Sequence, residues 1–319
     1  MKKTFPCRLL KFVAVCALLV LSLQVFLSKV KLNKPSKPSP VPADQYRLIS
    51  PDTYRYILNQ PEACRNRSPF LVLMVPAGPV EAAARHAIRR TWGSAGSSTL
   101  TLFYLGLPAE GDSSIQTELE AESSKHADII QMDFKDNYKN LTVKTMMMMS
   151  WLSTYCPHAS YAMKVDADNF VNVFYLLKRL SSSPRQDFIT GSVINDGRPR
   201  RNRNSKWFLS EDDYPEDSFP PYVAGAGYIF SSDLAAKISW ASRFIRIIPL
   251  EDVYVGLCLR VLAVRPVYSR ILILLRNLFE ITKLEYNRCI FAKRILVNGF
   301  TPLELLYIWE DFSCSYTTC

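Results

Sequence analysis

Histidine is nearly absent from the 319 residues: His86, His126 and His158 are too few for a histidine-rich metal site. No Gly-x-Gly-x-x-Gly, Walker loop, His-Glu-x-x-His or Gly-x-Ser-x-Gly occurs, which argues against dinucleotide-binding, NTPase, zinc-protease and serine-hydrolase chemistry. Acidic residues are missing before Asp44, and eight of the 39 basic residues (Lys2, Lys3, Arg8, Lys11, Lys29, Lys31, Lys34 and Lys37) lie in that stretch. The remainder carries 31 basic against 29 acidic residues, so the formal +10 is no basic footprint and no nucleic-acid partner is expected. No internal repeat is present. Chemistry in this chain therefore rests on carboxylates.

What is there begins with an apolar stretch from Leu9 to Ser28, broken only by Lys11, Cys16, Ser22, Gln24 and Ser28. That is about the 20 residues a helix needs to cross a bilayer, and no small-x-small cleavage site precedes Lys29. The expected organisation is a cytoplasmic tail (1–8), a transmembrane signal anchor (9–28), a Pro- and Lys-rich stem (29–53) and a luminal domain (54–319). The basic residues on the two sides of the anchor balance, so orientation rests on other signs. Six cysteines follow it (Cys64, Cys156, Cys258, Cys289, Cys314 and Cys319), as do the glycosylation acceptors Asn66-Arg67-Ser68 and Asn140-Leu141-Thr142, all suited to an oxidising compartment.

Short apolar runs at 70–75, 100–105, 128–132 and 161–165 alternate with helical patterns at 80–92, 114–126 and 140–156. This rhythm predicts an α/β domain with a mainly parallel, Rossmann-like sheet flanked by helices, its ligands at the strand C-termini. Met146 to Met149 are apolar around a helical turn and read as buried core.

The last apolar run ends in Lys164-Val165-Asp166-Ala167-Asp168. In extended chain, residues i and i+2 point the same way, so both carboxylates can converge on one hard cation; an Asx turn is the plainer alternative. A second acidic pair, Glu251-Asp252, opens a helical pattern, where acids complement the helix dipole or, held in a cleft, serve as a general base. Gly225 and Gly227 punctuate a strand-like run before Ser231-Ser232-Asp233, a helix cap; they mark close ligand approach or tight packing. Arg85 and Arg89 are cations that could meet phosphate, and Lys206-Trp207 either line a sugar groove or lie in the core.

Taken in order, Ala87-Ile88-Arg89-Arg90-Thr91-Trp92-Gly93, Asn140-Leu141-Thr142-Val143-Lys144-Thr145, Lys164 to Asn172, Ser205-Lys206-Trp207, Gly225-Ala226-Gly227-Tyr228 and Glu251-Asp252-Val253-Tyr254-Val255-Gly256 resemble the beta-1,3-galactosyltransferase family, which includes beta-1,3-N-acetylglucosaminyltransferases. The resemblance spans residues 54–312 and implies a GT-A fold, a type II Golgi membrane enzyme, a nucleotide-sugar donor with manganese (Mn2+), and inversion at the anomeric carbon. By that analogy, Asp252 with Glu251 is catalytic, Asp168 ligates the metal, and Arg85, Arg89, Lys164, Asp166, Gly225, Gly227 and Trp207 contact the nucleotide sugar. Three departures stand out: Asn298 replaces the family histidine expected as second metal ligand, Val223 replaces a cysteine, and the Phe-Asn-His-Trp region is altered around Leu275 to Phe279.

The resulting expectation is transfer of galactose from UDP-galactose to the 3-hydroxyl of N-acetylglucosamine-terminated glycans on glycoproteins or glycolipids. N-acetylglucosamine transfer and a non-catalytic nucleotide-sugar- or glycan-binding homologue compete with it, as does a secreted structural module. Association into a homo-oligomer stays open.

Overall fold

In the computed structural model, residues 24, 54–94, 96–109, 113–270, 284–316 and 319 are described. The expected tail, stem and all of the anchor except Gln24 lie outside them, as does the altered stretch Leu275 to Phe279. Among the described residues no helix is long and apolar enough to cross a membrane.

The elements follow as β1 (Tyr56–Leu58), β2 (Leu71–Pro76), α1 (Ala82–Arg90), β3 (Thr99–Leu107), α2 (Ser113–His126), β4 (Ile129–Lys135), α3 (Leu141–Tyr155), β5 (Tyr161–Val165), β6 (Phe170–Val171) and α4 (Val173–Leu180). Then come β7 (Ile189–Ile194), β8 (Tyr222–Ser231), α5 (Asp233–Ala241), α6 (Glu251–Val261), β9 (Val267–Tyr268), α7 (Arg288–Phe291), β10 (Leu296–Val297) and α8 (Pro302–Ser315). The large sheet has the order β1-β4-β3-β2-β5-β8-β7-β9. Strands β4, β3, β2 and β5 are mutually parallel, β8 runs against β5 and β7, and β1 runs against β4. The fold is mixed α/β with one large, mainly parallel sheet.

Every residue of β2 is buried because helices cover both faces of the sheet. Val72, Met74, Leu102, Tyr104 and Ile130 pack on one face with Met147, Met148 and Met149 of α3, Leu234 of α5 and Leu257 of α6. Leu71, Leu73, Val75, Phe103 and Leu105 alternate to the other face, beneath Ile88 of α1, Leu119 of α2 and Leu176 of α4. The methionine run is therefore core, as its all-round apolarity requires.

A small second sheet pairs β10 with β6 in antiparallel register, Val297 opposite Phe170. It draws the C-terminal segment up to the turn that follows β5. Disulfides join Cys64 to Cys156 and Cys289 to Cys319, while Cys258 is free and buried and Cys314 free and exposed.

Candidate active site

Because β2 to β5 run parallel, their C-terminal ends open along one edge, and the turn Asp166 to Asn169 leaves β5 there. Asp166 N donates to Ala226 O at 3.1 Å, and Asn169 Nδ2 donates to Asp166 O at 2.9 Å and Ala226 O at 3.1 Å. These bonds pin the turn to β8.

Lys164 precedes Asp166 by two residues and so shares its side of the strand. Its side chain is only 3 % exposed, and its ammonium contacts Asp166 Oδ1 at 2.6 Å, Gly225 O, and Glu251 Oε1 at 3.0 Å. Glu251 Oε1 takes no directed hydrogen bond, so that last contact is charge attraction. Thr145 Oγ1 donates to Glu251 Oε2 at 3.2 Å and Tyr228 OH lies 3.5 Å from it. Asp252, the next residue of α6, accepts from Gly225 N at 3.2 Å and Val253 N at 2.9 Å. One buried ammonium thus ties the end of β5 to the start of α6.

The electrostatics follow from this crowding. Burial pushes Glu251 up to about 7, against the pull of Lys164 and with the help of the Asp252 and Asp166 charges. Burial also raises Asp252, although backbone N–H groups and Lys164 oppose it. Asp168 is raised by lost solvation and then by the Asp166 charge. Burial alone would lower Lys164, but Asp166 and Glu251 outweigh it and hold the ammonium above its ordinary range. Four carboxylates share one cation here, which leaves the mouth negative.

Asp168 is exposed, and its carboxylate accepts one hydrogen bond, from Asn169 Nδ2 at 3.3 Å. Phe300 N donates to Asp168 O at 2.8 Å, and continuing the β10–β6 register by one residue sets Asn298 opposite Asn169, beside Asp168. Exposed hard oxygens in uncompensated negative surroundings suit a divalent cation. Among the described residues no group of three or more His, Cys, Asp or Glu side chains forms a metal cluster.

Comparison with known proteins decides the lineage. Residues 83–270 match the Galactosyltransferase family. Beta-1,3-galactosyltransferase 1 of Mus musculus is 41 % identical over 274 residues, covering 84 % of this chain and 81 % of the relative. Beta-1,3-galactosyltransferase 2 of Mus musculus is 41 % identical over 264 residues, or 81 % of this chain and 62 % of that longer relative. The chain belongs to the galactosyltransferase family. Among solved structures, a glycosyltransferase involved in the glycosylation of the major capsid of PBCV-1 aligns at a TM-score of 0.40 and 11 % identity, covering 76 % of this chain and 100 % of its own. The galactosyltransferase LgtC, solved with donor and acceptor sugar analogues, gives 0.37 and 11 %, covering 77 % and 95 %. Scores this low carry no weight for the fold.

Within this family member, several residues expected at the nucleotide sugar have other partners. Arg85 is 1 % exposed and donates to Glu122 at 2.9 and 2.6 Å and to Gly78 O at 2.7 Å. Arg89 donates to Glu122 at 2.7 Å and to Asp128 at 2.7 and 2.8 Å. Acids of α2 and the α2–β4 turn thus occupy the place expected for phosphate, and both arginines brace the fold. Lys164 braces the acids. A Cβ on Gly225 would meet Glu251 Oε1 at 2.8 Å, and one on Gly227 would meet Leu296 Cδ1 at 2.8 Å, so both glycines serve close packing. Glu251 is 6 % exposed and touches Lys164, Thr145 and Tyr228.

Ser232 stands at the N-cap of α5 but its side chain makes no capping bond; Ser231 Oγ donates to Asp233 Oδ1 at 2.6 Å. Trp207 is 49 % exposed, so the groove reading of Lys206-Trp207 survives and the core reading does not. Asn66 is exposed, whereas Asn140 donates to Lys135 O at 2.8 Å and Thr142 is buried on Ile248 O at 2.7 Å.

Tyr138 was not singled out by sequence reasoning. Lys206 Nζ lies 4.2 Å from its ring centroid. Burial raises its hydroxyl against an opposing pull from Trp207, and the charges of Asp252, Glu251 and Asp166 reach it. An aromatic in a turn just before α3 carries no signal in sequence; only the folded β7–β8 connection reveals it.

Proposed function

We propose that the chain is a GT-A-type inverting glycosyltransferase that moves galactose from UDP-galactose to the 3-hydroxyl of an N-acetylglucosamine-terminated glycan. The observation that carries this reading is the Lys164 bridge, which puts the Asp166–Asp168 turn and the Glu251–Asp252 pair into one negative mouth. Membership of the family supports the donor and linkage class.

Asp252 is the partly open acid of its pair, fixed by two backbone N–H groups, with a raised proton affinity that suits a general base. It takes the proton from the acceptor hydroxyl as that oxygen attacks the anomeric carbon. Glu251 stays behind it, and no second exposed carboxylate of α6 offers a nucleophile. A single displacement with inversion fits that arrangement. Asp168, with Asp166 and Asn298 alongside, would hold manganese. The bound ion supplies charge neutralisation at the departing diphosphate.

The disulfides and the exposed Asn66 acceptor support a luminal setting, with residues 9–28 as the anchor in the Golgi membrane. The test uses the full-length chain solubilised in detergent, with manganese, UDP-galactose and an N-acetylglucosamine-terminated acceptor, and UDP-N-acetylglucosamine as competing donor. A beta-1,3-linked galactosyl product is expected, and Asp252→Asn should lower turnover by roughly 10²–10⁴-fold. A folded chain that forms no such product rules the reading out.

A further inference from the structure

The connection between β7 and β8 carries an uneven distribution of charge. Arg198, Arg200, Arg203 and Lys206 are all exposed, and none of them forms an ion pair among the described residues. Acids are available nearby, because the same connection continues through Glu211, Asp212, Asp213, Glu216 and Asp217. Two of these are instead taken by arginines from outside the connection: Arg246 holds Asp213 at 2.8 Å and Arg260 holds Glu216 at 2.8 Å.

The connection is also held in shape. Arg201 turns inward and donates to the carbonyls of Leu209, Ser210, Tyr214 and Glu216 at 2.8 to 3.1 Å, and Arg200 bridges to Phe208. The four cations therefore stand on a braced loop and outnumber Asp196, the exposed acid of the same stretch, which acts on Tyr222 together with Arg200.

That loop borders the mouth. Lys206 sits over Tyr138, which feels Asp252, and Tyr222 feels both Asp252 and Arg200. A Cβ on Gly197 would meet the Tyr222 ring at 2.7 Å, so the connection packs directly on the strand that carries Gly225. With Asp252 as base the acceptor hydroxyl must come to this side, and a rim of exposed cations attracts negative charge on whatever arrives.

We propose that Arg198, Arg200, Arg203 and Lys206 form an acceptor-selecting rim, and that the preferred acceptor carries an anionic substituent, a sulfate ester or a sugar carboxylate, on or next to the receiving residue. The proposal rests on the transferase reading above for the word acceptor. It goes beyond that reading by naming the acceptor's charge class.

The test compares three acceptors of equal length on the full-length chain: neutral, 6-sulfated, and carboxylate-bearing. Binding is measured by calorimetry without donor, and KM by turnover. At about 50 mM salt the anionic acceptors should bind and react with roughly tenfold advantage, shrinking severalfold at about 300 mM as the Debye length contracts. Sulfate and carboxylate arms identify which anion the rim prefers. The double variant Arg198→Ser/Arg203→Ser should bring the ratio close to one. The variant Lys178→Ser/Arg179→Ser, with the same loss of charge on α4, should leave it unchanged.

Equal binding of neutral and anionic acceptors overturns the proposal. So does a rim variant that raises KM for UDP-galactose alone, which would assign the cations to the nucleotide diphosphate, or binding to anionic lipid vesicles without acceptor preference. Absence of turnover with every acceptor would sink the transferase reading; the calorimetric ratio would still decide the rim.

Discussion

Asn169 shows at the residue scale how function and stability pull apart. It is fully buried, and its Oδ1 has no hydrogen-bond partner, which costs about 1–3 kcal/mol. Its Nδ2 steadies the Asp168 carboxylate. The two carbonyls it also serves keep other donors: Asp166 N for Ala226 O, and Asn169 N for Asp166 O. Asn169→Leu should therefore raise stability by about 1 kcal/mol in denaturant titration, while the manganese concentration for half-maximal activity rises severalfold. A gain without the metal effect would remove Asn169 from the positioning of Asp168. Glu251 gives the pH counterpart. Its carboxyl titrates near 7 when folded against an ordinary 4.5, so between those values the folded chain binds more protons than the unfolded one. Stability is fully present below about pH 4.5 and falls as pH rises towards 7, by a contribution on the order of 3 kcal/mol; Lys164, held above its ordinary range, stays charged throughout and adds no slope. Melting temperatures of wild type should decline across that window more steeply than those of Glu251→Gln, the slope being the readout.

At the element scale, the junction of β8 and α6 is where packing becomes geometry for chemistry. Gly225 leaves the space that Glu251 Oε1 fills, and Gly256 leaves the space for Tyr222 Cβ, which would stand 2.6 Å from an added Cβ. Helix and strand therefore touch backbone to side chain along the whole start of α6. Gly225→Ala should cost about 1–3 kcal/mol through overpacking, and should cut turnover by tenfold or more because Glu251 is pinned by Lys164 and the strain passes to Asp252. Unchanged turnover in a folded variant would show that Asp252 is placed independently of Gly225. The sequence made the strands and helices legible because β2, β3 and β5 are mainly apolar runs with both faces buried. It did not show that β4 continues past Met132 through Asp133 and Lys135, since polar edge residues break the apolar signal. The candidate site was legible as two acidic pairs. What linked them was not, because a lysine in a strand looks like surface until the three oxygens it contacts, one of them 87 residues away, are folded around it. Arg85 and Arg89 misled for the same reason: their acids lie 33 to 39 residues further on, beyond any local pattern.

On the scale of the whole molecule, the first strand is the exposed flank of the sheet. Among the described residues β1 pairs with β4 alone, at the sheet edge, and is docked by Tyr56 against Tyr155 at 6.0 Å and by Trp151 Nε1 donating to Asn59 Oδ1 at 2.8 Å. The Cys64–Cys156 disulfide closes 92 residues and fastens this segment to the C-terminal end of α3, whose other face builds the core under the site. A bridge across a loop of that length restricts the unfolded chain by about 5 kcal/mol. Cys64→Ala/Cys156→Ala should lower the melting temperature by roughly 10 °C. Cys258 is buried with its thiol pushed up, so it offers no ready replacement partner. Hydrogen exchange would locate the loss: amides of β1 should lose protection before those of β2, which is enclosed between two strands and two helical layers. If β1 keeps its protection and the melting temperature holds, the aromatic and Trp151 contacts suffice to close the edge, and the disulfide stabilises neither the flank nor the helix that carries Thr145 to the acids.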